Sequence, residues 1–140
     1  MSKVIGLDLG QRTCGVAISD ATRFLARALT TVRFEDDDYD QCLDEVIEIA
    51  RENKVEDIVI GLPRHMNGDI GIRGEISQDF GAALEEEGFH VFYWDERLST
   101  AQTERFLISA DVSRKKRKKI IDQMSAVNIL QGYLDRNSRG

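Results

Sequence analysis

Three acidic residues stand among apolar neighbours at widely separated points of the chain. Asp8 lies in a run of valine, isoleucine and leucine, Glu96 closes an aromatic run, and Asp122 is flanked by isoleucine, methionine and valine. A lone carboxylate is expensive to bury, and carboxylates that converge from distant segments are a common way to hold a divalent metal ion. The sequence therefore indicates a metal-dependent enzyme, with these acids as its catalytic residues and metal ligands.

The ligand chemistry favours Mg²⁺ or Mn²⁺. Oxygen-only ligands suit these ions better than zinc or copper, and Mg²⁺ prefers a few protein carboxylates together with phosphate oxygens of a substrate. In phosphodiester hydrolysis two such ions, about 3.5–4 Å apart, activate the attacking water and stabilise the leaving oxygen. The expected reaction is phosphodiester cleavage, which needs no serine or cysteine nucleophile.

Each acid also has a structural explanation that the sequence leaves open. Asp8 could accept hydrogen bonds from turn amides. Asp95 and Glu96 could form surface ion pairs with Arg97. Asp122 could cap the last helix or interact with its first-turn amides. Because neighbours on a strand point to opposite faces, Asp95 and Glu96 are not both expected to bind metal.

Side chains suited to phosphate are expected in loops near these acids. Arginine can grip phosphate with two hydrogen bonds, and loop glycines let the backbone approach a ligand closely. A solvated side chain explains any single one of these residues equally well, so their clustering is the stronger argument. The candidates are Arg12 in the first turn, Arg64, Asn67 and Arg73 in a glycine-rich loop, and Arg97 beside Glu96.

Positive charge is concentrated in one segment. The chain carries a net charge of −6, but it contains six consecutive cations, so the rest of the chain carries −12. Such a segment in an acidic protein indicates a docking surface for nucleic acid, although a solvated loop before a helix is an equally simple reading. The segment consists of Arg114, Lys115, Lys116, Arg117, Lys118 and Lys119.

Length and composition fit a single domain spanning residues 1–140. The chain is 41% hydrophobic and 31% charged, and it has no apolar run long enough for a membrane span or a signal peptide, so we expect a cytoplasmic protein without membrane partners. Cys14 and Cys42 are expected to be packed thiols. With His65 and His90 far apart in sequence, a zinc site of cysteine and histidine is not expected.

Hydrophobic patterning predicts an α/β fold. Strands are expected around residues 3–9, 14–19, 24–33, 58–60 and 91–94, with the first three forming an antiparallel meander and the last two pairing in parallel through helical crossovers. Helices are expected after the acidic run at residues 35–40, after the glycine-rich loop, after a capping box at residues 99–102, and at about 119–136. The prediction is a five-stranded mixed sheet with helices on both faces.

Four sequence motifs resemble the YqgF (RuvX) family of nucleases, and together they cover essentially the whole chain. They lie at residues 6–17, 61–68, 95–100 and 122–131. The resemblance implies an RNase H-like domain related to Holliday-junction resolvases, with a role in maturing the precursor of small-subunit ribosomal RNA. It also implies that Asp8, Glu96 and Asp122 are the catalytic acids.

The chain departs from the wider group of RNase H-like enzymes at one strand. Those relatives carry an acid on the fourth strand, whereas residues 59–62 are Val, Ile, Gly and Leu, so the second acid is expected at Glu96. His65 stands where the resemblance leads us to expect a smaller polar residue, which leaves its role open.

Two other functions compete with this reading. The hairpin formed by residues 8–17 also resembles the phosphate-binding hairpin of the actin and sugar-kinase superfamily, but those proteins need two such domains. A non-catalytic RNA-binding module for ribosome assembly is the third alternative. The expected partners are structured RNA or branched DNA in a ribosome-assembly context, and the chain is expected to act as a monomer or a homodimer.

Overall fold

A five-stranded mixed sheet forms the centre of the computed structural model, which describes residues 3–63, 71–95 and 113–138. The strand order is β3-β2-β1-β4-β5, with β1 and β2 antiparallel, β2 and β3 antiparallel, and β4 parallel to both β1 and β5. This confirms the predicted meander followed by two parallel strands. The strands are β1 (Val4–Leu9), β2 (Thr13–Ser19), β3 (Ala26–Arg33), β4 (Asp57–Leu62) and β5 (His90–Asp95).

Helices cover both faces of the sheet, as predicted. They are α1 (Tyr39–Glu52), α2 (Gly71–Glu86) and α3 (Arg114–Ser138). Helices α1 and α2 bury one face, where the larger core forms around Ile5, Leu7 and Ile60. Helix α3 covers the other face, where Val4 and Val59 pack against Leu130. Alternate residues of β1 therefore contribute to two separate apolar layers.

The start of α1 follows from the acidic run before it. Asp38 is the N-cap residue, and its side chain accepts a hydrogen bond from the backbone N–H of Gln41 at 3.2 Å. Val46, Ile47 and Ala50 are buried on the face that the helical spacing predicts. Residues 35–38 of the acidic run therefore form an exposed connection that ends in a helix cap.

Both cysteines are buried free thiols. Cys14 lies on β2 and Cys42 on α1, within the same core layer. The pKa of the Cys14 thiol is raised well above its usual value, first by its contact with Cys42 and then by burial. Both thiols are packing residues of the core, in agreement with the sequence expectation.

Helix α3 differs from its prediction in where it begins. It starts at Arg114, about five residues earlier than expected, so the basic segment forms its first turns instead of preceding it. Asp122 is thus more than two turns inside the helix, and the alternative in which it caps α3 is wrong. Met124, an apolar residue of this helix, is 41% exposed.

The start of β3 also differs from its prediction. The strand begins at Ala26, so Phe24 lies outside it and is exposed. Asp20 explains this boundary, because its carboxylate accepts the backbone N–H groups of Phe24 at 2.8 Å and Leu25 at 3.1 Å. These bonds, together with the backbone hydrogen bond from Asp20 N–H to the Leu25 carbonyl at 3.1 Å, close a turn that ends where β3 begins.

Two predictions from the sequence concern residues that lie partly or wholly outside the described part of the chain, and a third is not tested by the structure. Residues 64–70, which contain most of the glycine-rich loop, and the capping box at residues 99–102 lie outside the description. The assignment of residues 1–140 to one domain stays a prediction. Among the described helices, none combines the length and apolar character required to cross a lipid bilayer.

Helix α3 approaches the sheet most closely at Gly6. A Cβ atom placed on Gly6 would lie 2.6 Å from Cβ of Leu130 and 3.1 Å from the carbonyl oxygen of Ala126. Both atoms belong to or adjoin the helix backbone, so a methyl group here would have to displace the helix. At Gly15, by contrast, an added Cβ would lie 3.4 Å from Cβ of Ala126, which is close to ordinary contact.

We predict that Gly6→Ala lowers the free energy of unfolding by about 1–3 kcal/mol, because the methyl group overpacks the contact between β1 and α3. Gly15→Ala is the matched control on the same face and should cost clearly less. Urea denaturation followed by circular dichroism measures both values. Equal effects of the two substitutions would show that the Gly6 contact does not limit the approach of α3.

Candidate active site

Asp8 lies near the carboxyl end of β1, on the face of the sheet that α3 covers. It pairs across the antiparallel ladder with Gly15, and both positions lie on the face of the sheet that is covered by α3 near Ala126. The Asp8 residue is partly buried. Among the described residues, its carboxylate has neither a cation partner nor a hydrogen-bond donor.

The adjacent turn does not use the Asp8 side chain. The backbone N–H of Gly10 donates to the carbonyl oxygen of Thr13 at 2.8 Å and closes the turn without the carboxylate. The explanation of Asp8 as an acceptor for turn amides therefore finds no support in the hydrogen bonds of the described residues. A partly buried carboxylate that has no partner among the described residues is available to bind a cation.

Helix α3 carries Asp122 toward the same end of the sheet. Leu130 lies over Gly6 and Ala126 lies by Gly15 and Asp8, so the helix runs antiparallel to β1. Position 122 is about one turn before Ala126 and falls on the same stripe of the helix. The backbone thus brings this position past the carboxyl end of β1, while the Asp122 side chain lies outside the described residues.

Glu96 follows immediately after the described end of β5. Neighbouring residues of β5 face opposite sides of the sheet. Trp94 packs on the α3 side, where a Cβ atom added to Gly132 would lie 2.7 Å from its ring. Tyr93 faces the α2 side, where its hydroxyl donates to the Gln78 carbonyl at 3.3 Å. Strands β1 and β5 are separated by β4 alone, which corresponds to about 10 Å between their axes. Glu96 itself lies outside the described residues, so the convergence of the three acids stays a prediction.

Two of the predicted phosphate-binding arginines are described, and they differ in their surroundings. Arg73 on α2 is partly buried and donates to the Leu9 carbonyl at 3.2 Å and to the Tyr39 hydroxyl at 3.0 Å. It therefore braces the end of β1 that carries Asp8. Arg12 is exposed and forms a 2.6 Å ion pair with Asp36.

The other predicted nucleic-acid contacts are described less fully. For the six cations at positions 114–119, the structure gives the helix backbone. The remaining three candidates, together with His65, lie outside the described residues, and no assembled metal-ligand cluster occurs within the described part of the chain. The three are Arg64, Asn67 and Arg97.

A cleft of about 420 Å³ adjoins Asp8 and was not anticipated from the sequence. Its floor is formed by β2 and β3, and its wall by Ala126 and Val127 of α3. Thr13 and Thr31 contribute hydroxyl groups to it. Single threonines and glycines carry no signal in the sequence, because only the pairing register of three strands brings them together.

A sequence comparison identifies the family. The profile of the RuvX family, described as "Holliday junction resolvase", matches residues 2–136. The chain belongs to the RuvX family. This confirms the resemblance found in the sequence motifs.

Curated relatives extend over nearly the same length as this RuvX-family chain. A protein of Staphylococcus epidermidis is 49% identical over 95% of this chain and 95% of its own length. A protein of Bacillus licheniformis is 50% identical over 95% of this chain and 96% of its own length. Both carry the name "Putative pre-16S rRNA nuclease".

Solved structures of resolvases share the fold of this RuvX-family chain. RuvC from T. thermophilus, in complex with a Holliday junction substrate, has a TM-score of 0.63 at 13% identity and covers 99% of this chain and 96% of its own. The Fowlpox virus resolvase, bound to Holliday junction DNA, has a TM-score of 0.52 at 10% identity and covers 96% and 97% of the two chains. The RNase H-like fold expected from the motifs is thereby confirmed.

The ion pair between Arg12 and Asp36 yields a prediction for titration. The hydrogen bond from Arg12 holds the pKa of the Asp36 carboxyl below its usual value. Because the folded-state pKa is the lower one, the pair stabilises the fold above the unfolded pKa near 3.8 and loses its effect as the pH falls through the folded value.

We therefore expect Arg12→Gln to raise the Asp36 pKa toward 3.8, as measured by NMR titration of the side-chain carboxyl. The stability difference between wild type and variant should shrink as the pH falls below that range. High salt should have a similar but smaller effect on the wild type, since both side chains are exposed. An Asp36 pKa that is unchanged in the variant would contradict the pairing.

Proposed function

We propose that this RuvX-family protein is a metal-dependent endonuclease that hydrolyses phosphodiester bonds in the precursor of small-subunit ribosomal RNA. The observation that carries the proposal is the partly buried Asp8, which has no described partner and lies at the carboxyl end of β1 beneath α3. The names of relatives at about 50% identity point to the same substrate. In open sheets of this kind, ligands gather at the carboxyl ends of the parallel strands.

The donor set around this end of the sheet suits Mg²⁺ or Mn²⁺. Asp8 supplies oxygen ligands, and we propose that Glu96 and Asp122 complete the set. The buried thiols lie on the opposite face of the sheet, so they do not compete for the ion. When bound, the metal would activate water and offset the negative charge that develops on the phosphate.

The remaining residues of the chain would position the substrate. Arg73 fixes the Leu9 carbonyl and thereby the backbone immediately after Asp8. Arg12 is exposed at the following turn and paired with a solvent-accessible carboxylate, so a phosphate could replace Asp36 at modest cost. Arg64, Asn67 and Arg97 are proposed as further contacts to the phosphate backbone.

The geometry of α3 sorts the six cations into two groups. Consecutive helix positions are about 100° apart, so positions 115 and 119 lie within about 20° of Ala126, which faces the sheet. Positions 114 and 117 lie about 120° or more from it. We propose that Lys115 and Lys119 lead a substrate strand toward Asp8, with Lys116 and Lys118 at the margins of this stripe.

We predict that wild-type protein cleaves precursor ribosomal RNA with Mg²⁺ or Mn²⁺, and that Asp8→Asn lowers the cleavage rate by a factor of at least about 100, because a carboxylate ligand is lost. Asp44→Asn is the matched control, since it makes the same change of charge on the exposed side of α1. Cleavage products are measured by gel electrophoresis, and EDTA should abolish them.

The same assay separates the alternatives. A four-way DNA junction serves as a second substrate, because the family description names a Holliday junction resolvase. Cleavage of the junction alone would replace RNA processing with resolution of branched DNA. Tight binding without cleavage at any metal concentration would favour a ribosome-assembly module, and turnover of ATP would favour the kinase-like reading. Cleavage that survives Asp8→Asn would refute the proposed site.

Two double variants with equal changes of charge test the role of α3. Replacing Lys115 and Lys119 by Gln should weaken RNA binding and reduce the slope of log K against log salt by about 1.4, the value for two phosphate contacts on a single strand. Replacing Arg114 and Arg117 by Gln should change the slope much less. Affinity is measured by fluorescence anisotropy between 50 and 200 mM salt, an experimental range chosen for its sensitivity.

Equal slopes for the two variants would show that the basic segment acts as a diffuse charge and not through one stripe of the helix. Circular dichroism provides the folding control. Because Gln is a good helix former, neither variant should lose helical content.

A further inference from the structure

Three directly paired residues form a row across β1, β2 and β3, on the face of the sheet that α3 covers. Asp8 on β1 pairs with Gly15 on β2, and Gly15 pairs with Thr31 on β3. Directly paired residues share a face of the sheet, so all three lie on the side that α3 covers. Two strand spacings separate Asp8 from Thr31, which is about 10 Å.

Gly15 places no side chain in the middle of this row. An added Cβ there would lie 3.4 Å from Cβ of Ala126 and 3.8 Å from Cβ of Asp8, so any larger group would fill the space between them. The cleft of about 420 Å³ beside Ala126 and Val127 is lined by all three residues of the row. Its volume is in the range of small-molecule binding sites.

The lining chemistry is neutral and rich in hydroxyl groups. Among the described residues that line the cleft, Asp8 is the one ionisable group, and Thr13 and Thr31 contribute hydroxyls. Neither the Thr13 nor the Thr31 hydroxyl is engaged by another described group. Threonine hydroxyls are frequent donors to phosphate and sugar oxygens of nucleic acids.

We infer that this cleft binds one sugar–phosphate unit of the substrate strand, adjacent to the phosphate held at Asp8. The inference rests on the proposed function and adds Thr31 and Gly15 as positioning residues. The Thr31 hydroxyl bonds the sugar or phosphate of that nucleotide, Gly15 keeps the floor of the cleft between Asp8 and Thr31 free of a side chain, and Val127 offers an apolar wall. A hydrogen bond to the ribose 2′-hydroxyl would distinguish RNA from DNA at this position.

The test combines substitutions in the protein with chemical modifications of the substrate. Thr31→Val removes the hydroxyl and keeps the shape, and it should weaken binding of a short precursor-RNA oligonucleotide about 3- to 10-fold, as for one hydrogen bond. Binding is measured by anisotropy in EDTA, so that it does not depend on cleavage. Gly15→Val, which fills the floor, should weaken binding at least as much, and thermal melting verifies that both variants fold.

Modified oligonucleotides identify the group that Thr31 contacts. A series of oligonucleotides carries one 2′-deoxy nucleotide or one methylphosphonate, each at a different position of the strand. With the modification at one of these positions, wild type and Thr31→Val should bind equally well. Loss of the effect with the 2′-deoxy nucleotide assigns the bond to the ribose hydroxyl. Loss with the methylphosphonate assigns it to the phosphate. The same changes at the far end of the oligonucleotide serve as controls.

The outcomes separate this inference from the proposed nuclease activity. If the wild type binds RNA but never cleaves it, while Thr31→Val and Gly15→Val still weaken binding, the cleft stands and the nuclease proposal fails. If the wild type cleaves and both folded variants bind and cleave like it, the cleft is not a substrate site. An effect of Thr31→Val that persists with every modified oligonucleotide also overturns the direct contact.

Discussion

The close packing of α3 against the middle of the sheet determines the geometry of the whole candidate site. Leu130 and Ala126 leave no room for a side chain at Gly6, and the space over Gly15 admits little more than a methyl group. A helix can lie this near a strand only where both surfaces carry small residues. The short distance between α3 and β1 places Asp8 beside a turn of the helix instead of in open solvent.

A comparison of two strand acids shows why the isolation of Asp8 matters. Asp57 begins β4, at the end of the parallel strands opposite to Asp8. Its carboxylate is paired with Arg23 at 2.9 Å and with His90 at 3.0 Å. These partners make Asp57 a structural residue that ties the β2–β3 turn to β5. Asp8 is also partly buried, yet no described group plays that part for it. An acid with no partner among the described residues is available to the metal ion that the proposed function requires.

The sequence predicts most of the sheet because its signals are local. Alternating apolar residues locate β1 and β2, and the buried run at Ile58 locates β4. The start of α3 was missed because six cations show no apolar periodicity, although lysine and arginine are good helix formers. The row of Asp8, Gly15 and Thr31 depends on strand register, which no local pattern specifies. Of the three predicted acids, the structure describes the surroundings of Asp8 alone.

In the proposed function, helix α3 joins substrate attraction to the chemical site within one continuous element. Its second half is fixed on the sheet by Ala126, Ile129 and Leu130, and its first turns carry the six cations. The rest of the chain carries a net charge of −12, so a polyanion is attracted most strongly near the start of this helix. Because the helix is continuous, its first turns stand at a fixed distance from Asp8. In the proposed function, charge distribution and packing therefore favour the same direction of approach for the substrate.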